Sequence, residues 1–248
     1  MKLLIDIGNS RIKWACLRDN RLESPTVIDY RKQDLREEFI KDLQMGDRPS
    51  QVYIANVAGD KIGAELTAVI SQLWKMAPVF ARVEPECAGV INAYDDITQL
   101  GIDRWLAVVA AWTRFQAPVC VVSCGTAVTV DAVGDTGRHL GGLIIPGLHM
   151  MQSTLARKTS GINAEPSDSF TLEFGRSTAE CINHGAVRAI VSLVDNVASE
   201  MSGLYGNALA RIITGGYAEQ VNALLTGKFE HDPYLVLHGL AIVAEKTT

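Results

Sequence analysis

Short apolar runs broken by polar turns open the chain. Lys2 to Ile5 reads as a buried strand, Ile12 to Leu17 as a second and Leu22 to Ile28 as a third. Arg18-Asp19-Asn20-Arg21 supplies a turn between the last two, so the pattern predicts an antiparallel meander at the start of a mixed sheet. Helical spacing then takes over. Leu35, Phe39 and Leu43 share a face between Asp34 and Gln44, as do Ile62, Leu66, Val69, Ile70 and Leu73 between Asp60 and Met76. Val52 to Ala55 and Val79 to Val83 are expected as strands, and Asp103 to Phe115 is apolar enough for a largely buried helix.

Near Gln116 the pattern restarts. Val119 to Val122 and Ala127 to Val133 read as strands, and Gly134 to Gly137 turns the chain into another, His139 to Ile145. Ser177-Thr178-Ala179-Glu180 has capping-box spacing, which predicts a helix from there to about Met201. A strand over Leu209 to Ile213, a helix over Ala218 to Leu225 and a closing helix over His238 to Glu245 follow.

The two halves begin alike. Leu3-Leu4-Ile5-Asp6-Ile7-Gly8-Asn9-Ser10 matches Cys120-Val121-Val122-Ser123-Cys124-Gly125-Thr126-Ala127 in order and polarity. Each is an apolar strand, a small polar residue, a glycine and then a hydroxyl or amide residue before the next strand. This predicts a duplication: two similar α/β domains, residues 1–116 and 117–248.

Composition narrows the function classes. Apolar residues make up 48% and charged residues 21%, the balance of a globular protein. The net charge of −5, with no basic cluster, weighs against a nucleic-acid partner. The five cysteines (Cys16, Cys87, Cys120, Cys124 and Cys181) are scattered with no C-x-x-C pair, so neither a disulfide framework nor a structural zinc site is expected. Asp6 interrupts the N-terminal apolar run too early for a signal peptide, and runs such as Trp105 to Trp112 fall short of the roughly 20 residues a membrane span needs. A cytoplasmic protein without a membrane partner is the expectation.

Three glycine turns then stand out. Asp6-Ile7-Gly8-Asn9-Ser10-Arg11 lies between two strands, with Lys13 just beyond. Glycine lets backbone approach a ligand closely, and successive amides with side-chain donors can cradle phosphate. Gly125-Thr126-Ala127-Val128-Thr129 offers the same chemistry in the second half, and Thr214-Gly215-Gly216 lies between a strand and a helix. Standing alone, the first favours a turn that satisfies its own backbone, and each of the others has a turn or capping reading too. Together they predict a nucleotide held in a cleft between two domains. There is no Walker loop, no G-x-G-x-x-G after the first strand and no protein-kinase signature.

An ordered set of motifs resembles the type III pantothenate kinases. It comprises Asp6-x-Gly8-Asn9-Ser10, Gly101-Ile102-Asp103-Arg104-Trp105, Gly125-Thr126-Ala127-x-Thr129-x-Asp131 and Gly141-Gly142-Leu143-Ile144-x-Pro146-Gly147. Gly175-Arg176-Ser177-Thr178, Thr214-Gly215-Gly216 and Leu235-x-Leu237-x-Gly239-Leu240 continue it, so the resemblance spans nearly the whole chain.

The resemblance implies the fold of actin, hexokinase and acetate kinase, with two ribonuclease-H-like domains, each a mixed sheet flanked by helices. It implies phosphorylation of the primary hydroxyl of pantothenate by Mg-ATP, the first step of coenzyme A biosynthesis, in a homodimer. By position, Asp6, Ile7, Gly8, Asn9, Ser10, Arg11, Ile12 and Lys13 would hold phosphate, with Asp6 positioning magnesium through water. Gly125, Thr126, Gly215 and Gly216 would contact ATP. Tyr94, Gly101, Ile102, Asp103, Arg104 and Thr178 match the pantothenate-binding positions, and Asp103 matches the catalytic base.

Two departures bear on these expectations. Where the family's second turn begins with an aspartate that helps bind a monovalent cation, this chain has Ser123, a poorer ligand, which puts potassium or ammonium activation in doubt. Ile162-Asn163-Ala164 replaces a common Leu-Pro, a change of loop structure. By itself, Asp103 at the first turn of a helix reads first as a residue favoured by the helix dipole; the motif around it is what points to function. His149 and His184 belong to no triad or metal spacing and are read as structural. Two rival functions remain at this level: a kinase of the same fold for another small hydroxy acid, and a non-catalytic nucleotide-binding regulator of transcription.

Overall fold

The computed structural model describes residues 1–29, 40, 41, 43, 47–158 and 167–246. The helix expected between Asp34 and Gln44 lies largely outside the described residues, and Ile162-Asn163-Ala164 wholly so. Two compact units form, Met1–Ala110 with Tyr234–Thr248, and Ala111–Pro233.

The first unit opens with the expected meander of β1 (Lys2–Ile7), β2 (Ile12–Arg18) and β3 (Arg21–Ile28). Asp19 and Asn20 turn β2 into β3 at φ 47° and 61°, the left-handed region that Asp and Asn tolerate best among residues with a Cβ. β4 (Gln51–Asn56) then adds parallel to β1, and β5 (Val79–Phe80) parallel to β4, giving the order β3-β2-β1-β4-β5. Parallel neighbours need a crossover, which α1 (Asp60–Trp74) provides between β4 and β5. Leu66, Val69 and Ile70 of that helix bury against Leu3, Ile5, Ile7, Val52 and Ile54 of the sheet. A small hairpin, β6 (Glu86–Cys87) with β7 (Val90–Ile91), turns through Ala88 and Gly89 at positive φ and was not legible in the sequence. After it α2 runs over Ile102–Phe115, with Trp105 and Leu106 fully buried.

The second unit repeats the plan. β8 (Val119–Cys124), β9 (Ala127–Val133), β10 (His139–Pro146), β11 (Ala210–Gly215) and β12 (Glu230–His231) take the order β10-β9-β8-β11-β12. The first three are antiparallel and the last two add parallel, as in the first unit. A duplication inferred from eight residues thus extends through a whole sheet, and the shared order is that of ribonuclease H. α3 (Leu148–Lys158) and α4 (Thr178–Tyr205) carry much of the helical cover. Val187, Ile190, Val191 and Val194 of α4 bury against Cys120, Val122 and Val128 of the sheet. The capping box at its start is complete: Ser177 Oγ accepts from Glu180 N at 3.3 Å, and Glu180 Oε2 accepts from Ser177 N at 3.1 Å. α5 (Ala218–Asn222) is shorter than the helix expected to Leu225.

The closing helix α6 (Leu235–Lys246) departs from linear order. Counted with the second half in the sequence, it packs on β1, β2 and β4 and belongs to the first unit, while the expected boundary near 117 falls at 110/111. Gly239 is the reason the helix can seat so close. A Cβ there would run into the Leu106 carbonyl of α2.

Candidate functional site

In the first unit, β1 and β4 are central and parallel, and the chain leaves β1 at Gly8, where open α/β sheets place ligands. The Gly8 N–H donates to Arg11 O at 3.0 Å and closes the turn. That amide belongs to the turn itself, so phosphate donors in this loop are sought in the residues after it. A Cβ on Gly8 would lie 3.2 Å from the same carbonyl, tight enough to disturb the loop.

Asp6 precedes the turn and is buried, 8% exposed, with Lys13 opposite it in register on β2. Burial pushes its carboxyl from 3.8 up to about 7; the Lys13 charge pulls back, and the Asp103 charge pushes further up. Asp6, Lys13 and Asp103 therefore share one electrostatic neighbourhood, although the two carboxylates are 97 positions apart in the sequence (from 6 to 103). A divalent cation suits this arrangement, because it would compensate the charge that burial disfavours in Asp6. Among the described residues no cluster of three or more His, Cys, Asp or Glu forms a metal cage. Magnesium bound through one or two carboxylates, waters and phosphate oxygens needs none.

Asp103 lies in the first turn of α2 as expected, its Oδ1 accepting from Arg104 N at 2.8 Å. Gly101 makes room for it, since a Cβ there would sit 2.7 Å from that oxygen. Arg104 is 7% exposed and donates from Nη1 to the Tyr94 hydroxyl at 2.9 Å, with its guanidinium 5.9 Å from the ring centre. The structure thus brings Tyr94, Gly101, Asp103 and Arg104 together at the start of one helix. Tyr94 reaches it from the segment after the β6–β7 hairpin, turned there by its own amide donating to Asn92 Oδ1 at 3.0 Å.

In the second unit, Gly125 N donates to Ala127 O at 3.0 Å, and Gly147 N donates to Thr126 O at 3.0 Å. A Cβ on Gly147 would lie 2.6 Å from that carbonyl and 2.8 Å from the Tyr217 hydroxyl. Gly215 has φ +109°, and a Cβ there would run into the Cys124 backbone. The turns at 125, 147 and 215 are therefore packed backbone to backbone. Tyr217, just after Gly216, accepts from Leu148 N at 3.2 Å and ties the three together. Sequence reasoning named Gly125, Thr126, Gly215 and Gly216 but missed Tyr217; its one signal was an aromatic residue directly behind a glycine pair. Burial pushes the Cys124 thiol up to about 12, so it is no thiolate nucleophile.

Thr178, the remaining predicted substrate residue, is exposed at the first position of α4 in the second unit, directly after the Ser177 cap. Ser123 stands at the end of β8 between Thr129 and Thr214 in register, a row of three hydroxyls. His139, buried beside Asp131 with its Nε2 3.0 Å from the carboxylate, was not foreseen, because a hairpin separates the two.

A profile of the type III pantothenate kinase family matches residues 2–200. The chain belongs to the type III pantothenate kinases. Relatives named type III pantothenate kinase include one from Nitrosococcus oceani, 38% identical over 100% of this chain and 95% of its own length. Another, from Nitrosospira multiformis, is 36% identical over 99% and 92%. Among solved structures, a conserved putative Baf family transcriptional activator from Campylobacter jejuni aligns with TM-score 0.56 at 20% identity, covering 99% of this chain and 98% of that one. A putative 2-dehydro-3-deoxygalactonokinase from Sinorhizobium meliloti aligns with TM-score 0.56 at 11% identity, over 100% and 99%. At these identities the likeness is one of fold alone.

Proposed function

We propose that this chain transfers the γ-phosphoryl group of ATP to the primary hydroxyl of pantothenate, giving 4′-phosphopantothenate and ADP. One observation carries the reading: Asp6 of the glycine loop and Asp103 of the Tyr94–Arg104 cluster feel each other's charge. A phosphate-binding turn and a hydroxy-acid subsite within electrostatic reach are what phosphoryl transfer needs, since that chemistry rests on positioning and charge stabilisation.

The loop from Asp6 to Lys13 holds the phosphates of ATP, with Arg11 and Lys13 supplying positive charge; Asp6 would hold the magnesium, which would supply charge compensation to the phosphates. Thr126, with Gly125, Gly215 and Gly216, contacts the nucleotide. Arg104, fixed by Tyr94 and beside Ile102, takes the carboxylate of pantothenate, and Thr178 is a further substrate contact. Asp103 orients the hydroxyl and accepts its proton as the oxygen–phosphorus bond forms. The bond to the bridging oxygen breaks, and ADP leaves with that electron pair. The protein works as a cytoplasmic homodimer. No helix among the described residues is long and apolar enough to cross a membrane.

ADP release with pantothenate, against matched hydroxy acids, tests this for the native chain and Asp103→Asn. The variant should lose about 10²–10⁴-fold in turnover while still binding ATP. A native chain that turns over another hydroxy acid and not pantothenate would replace the substrate. An Asp103→Asn variant as fast as the native would remove the base.

A further inference from the structure

The substrate residue Thr178 is approached by a segment that has almost nothing regular to hold it. Residues 167–177 form neither helix nor strand, so their carbonyls have no ladder partners. Phe170 and Leu172 half-bury against the core, but Phe174 is 91% exposed. Apolar burial therefore anchors only the first part of this strap.

Side chains of α3 and α4 supply the rest. Gln152 Nε2 donates to Ser167 O at 2.9 Å and to Asn183 Oδ1 at 2.5 Å, and Asn183 Nδ2 donates to Ser169 O at 2.7 Å. Both residues are buried, at 5% and 3% exposure. Arg188 donates to Leu172 O and sets its guanidinium 5.6 Å from the Phe174 ring. His184 Nδ1 meets Glu173 O at 3.1 Å, and the Cys181 thiol donates to Gly175 O at 3.4 Å. Gly175 is pressed onto the first turn of α4, where a Cβ would lie 2.6 Å from the Glu180 carbonyl carbon. The strap is stapled carbonyl by carbonyl along α4 up to the Ser177 cap.

We propose that Gln152, Asn183, His184 and Arg188 are positioning residues for the hydroxy-acid substrate, fixing the 167–177 strap along α4 and through it Thr178. This rests on the reading that Thr178 contacts pantothenate. Hydrogen bonds suit the task because they are directional, fixing where a segment lies while adding little net stability against water. None of the four needs to touch the substrate.

The test is steady-state ADP release by the full chain, varying pantothenate and ATP separately, for Arg188→Ala, Arg188→Lys and Asn183→Ala. Arg188 is exposed, so its replacement leaves the fold intact even if Asn183→Ala fails to fold. Both alanine variants should raise the pantothenate KM about tenfold, with the ATP KM changed less than about twofold. Arg188→Lys, which keeps a donor for Leu172 O, should recover most of the loss. Cys181, the exposed cysteine, should react faster with a disulfide reagent in the alanine variants as the strap lifts. A pantothenate KM that stays put while Cys181 reactivity rises would overturn the positioning role. So would equal rises in both KM values, the mark of general loosening. A native chain inert toward pantothenate would instead overturn the functional reading and this inference with it.

Discussion

Replacing Asp6 by Asn should make the protein more stable at neutral pH and less active, and the pH dependence of the gain is fixed in advance. The side chain keeps its shape and loses a charge that the fold buries. In the folded chain the carboxyl ionises at about 7, against 3.8 without its surroundings, because desolvation outweighs the attraction of Lys13. A folded pKa above the unfolded one means that folding is favoured by the proton. The stability is fully present below 3.8, falls as pH rises, and is fully lost above about 7. Asn carries no such penalty, so the gap between variant and native should widen with pH. Its slope is about 1.4 kcal/mol per pH unit within that window, reaching roughly 4 kcal/mol on the plateau, or about half that if water and relaxation relieve the buried charge. Urea denaturation of both proteins at pH 5, 6, 7, 8 and 9, in EDTA so that no divalent cation compensates the carboxylate, reads the gap directly. A gap that is flat across these pH values, or a native chain more stable than the variant at pH 8, would refute the reasoning. The first outcome would mean that Asp6 ionises normally; the second, that its charge is stabilised by partners stronger than Lys13.

Other consequences are simpler to read. Gly147→Ala forces a Cβ between the Thr126 carbonyl and the Tyr217 hydroxyl, so the ATP KM should rise about tenfold or more while the pantothenate KM moves less. Ser177→Ala removes half of a complete capping box; it should cost about 1 kcal/mol and lower the melting temperature by about 2–4 °C, read by scanning calorimetry. Because Ser123 and its register neighbours Thr129 and Thr214 offer hydroxyls and no carboxylate, turnover should be equal in potassium, ammonium and sodium buffers, and a potassium-dependent rate would show that hydroxyls suffice.

Local chemistry made the strands and helices legible. The Asp19-Asn20 turn, the short apolar runs of β1 and β2 and the Ser177–Glu180 box each act over a few residues, so composition at those positions was enough. The glycine loops were legible too, as was Asp103 at the start of its helix. Tyr217, His139, Gln152 and Asn183 were not. Their importance lies in what a distant backbone does: Tyr217 serves Leu148, His139 meets Asp131 across a hairpin, and Asn183 holds a carbonyl fourteen positions earlier.

The sequence by itself determined the repeated strand–turn–strand units, the placement of glycine where backbone must come close, and the family. Those follow from short-range sterics and from motif order, which need no third dimension. Only the tertiary structure decided that α6 belongs to the first unit, because an apolar helix face seats wherever a complementary surface and a missing Cβ at Gly239 allow it. It also decided that Asp6 and Asp103 share a field, since burial and Coulomb interaction depend on distance through the fold and not along the chain.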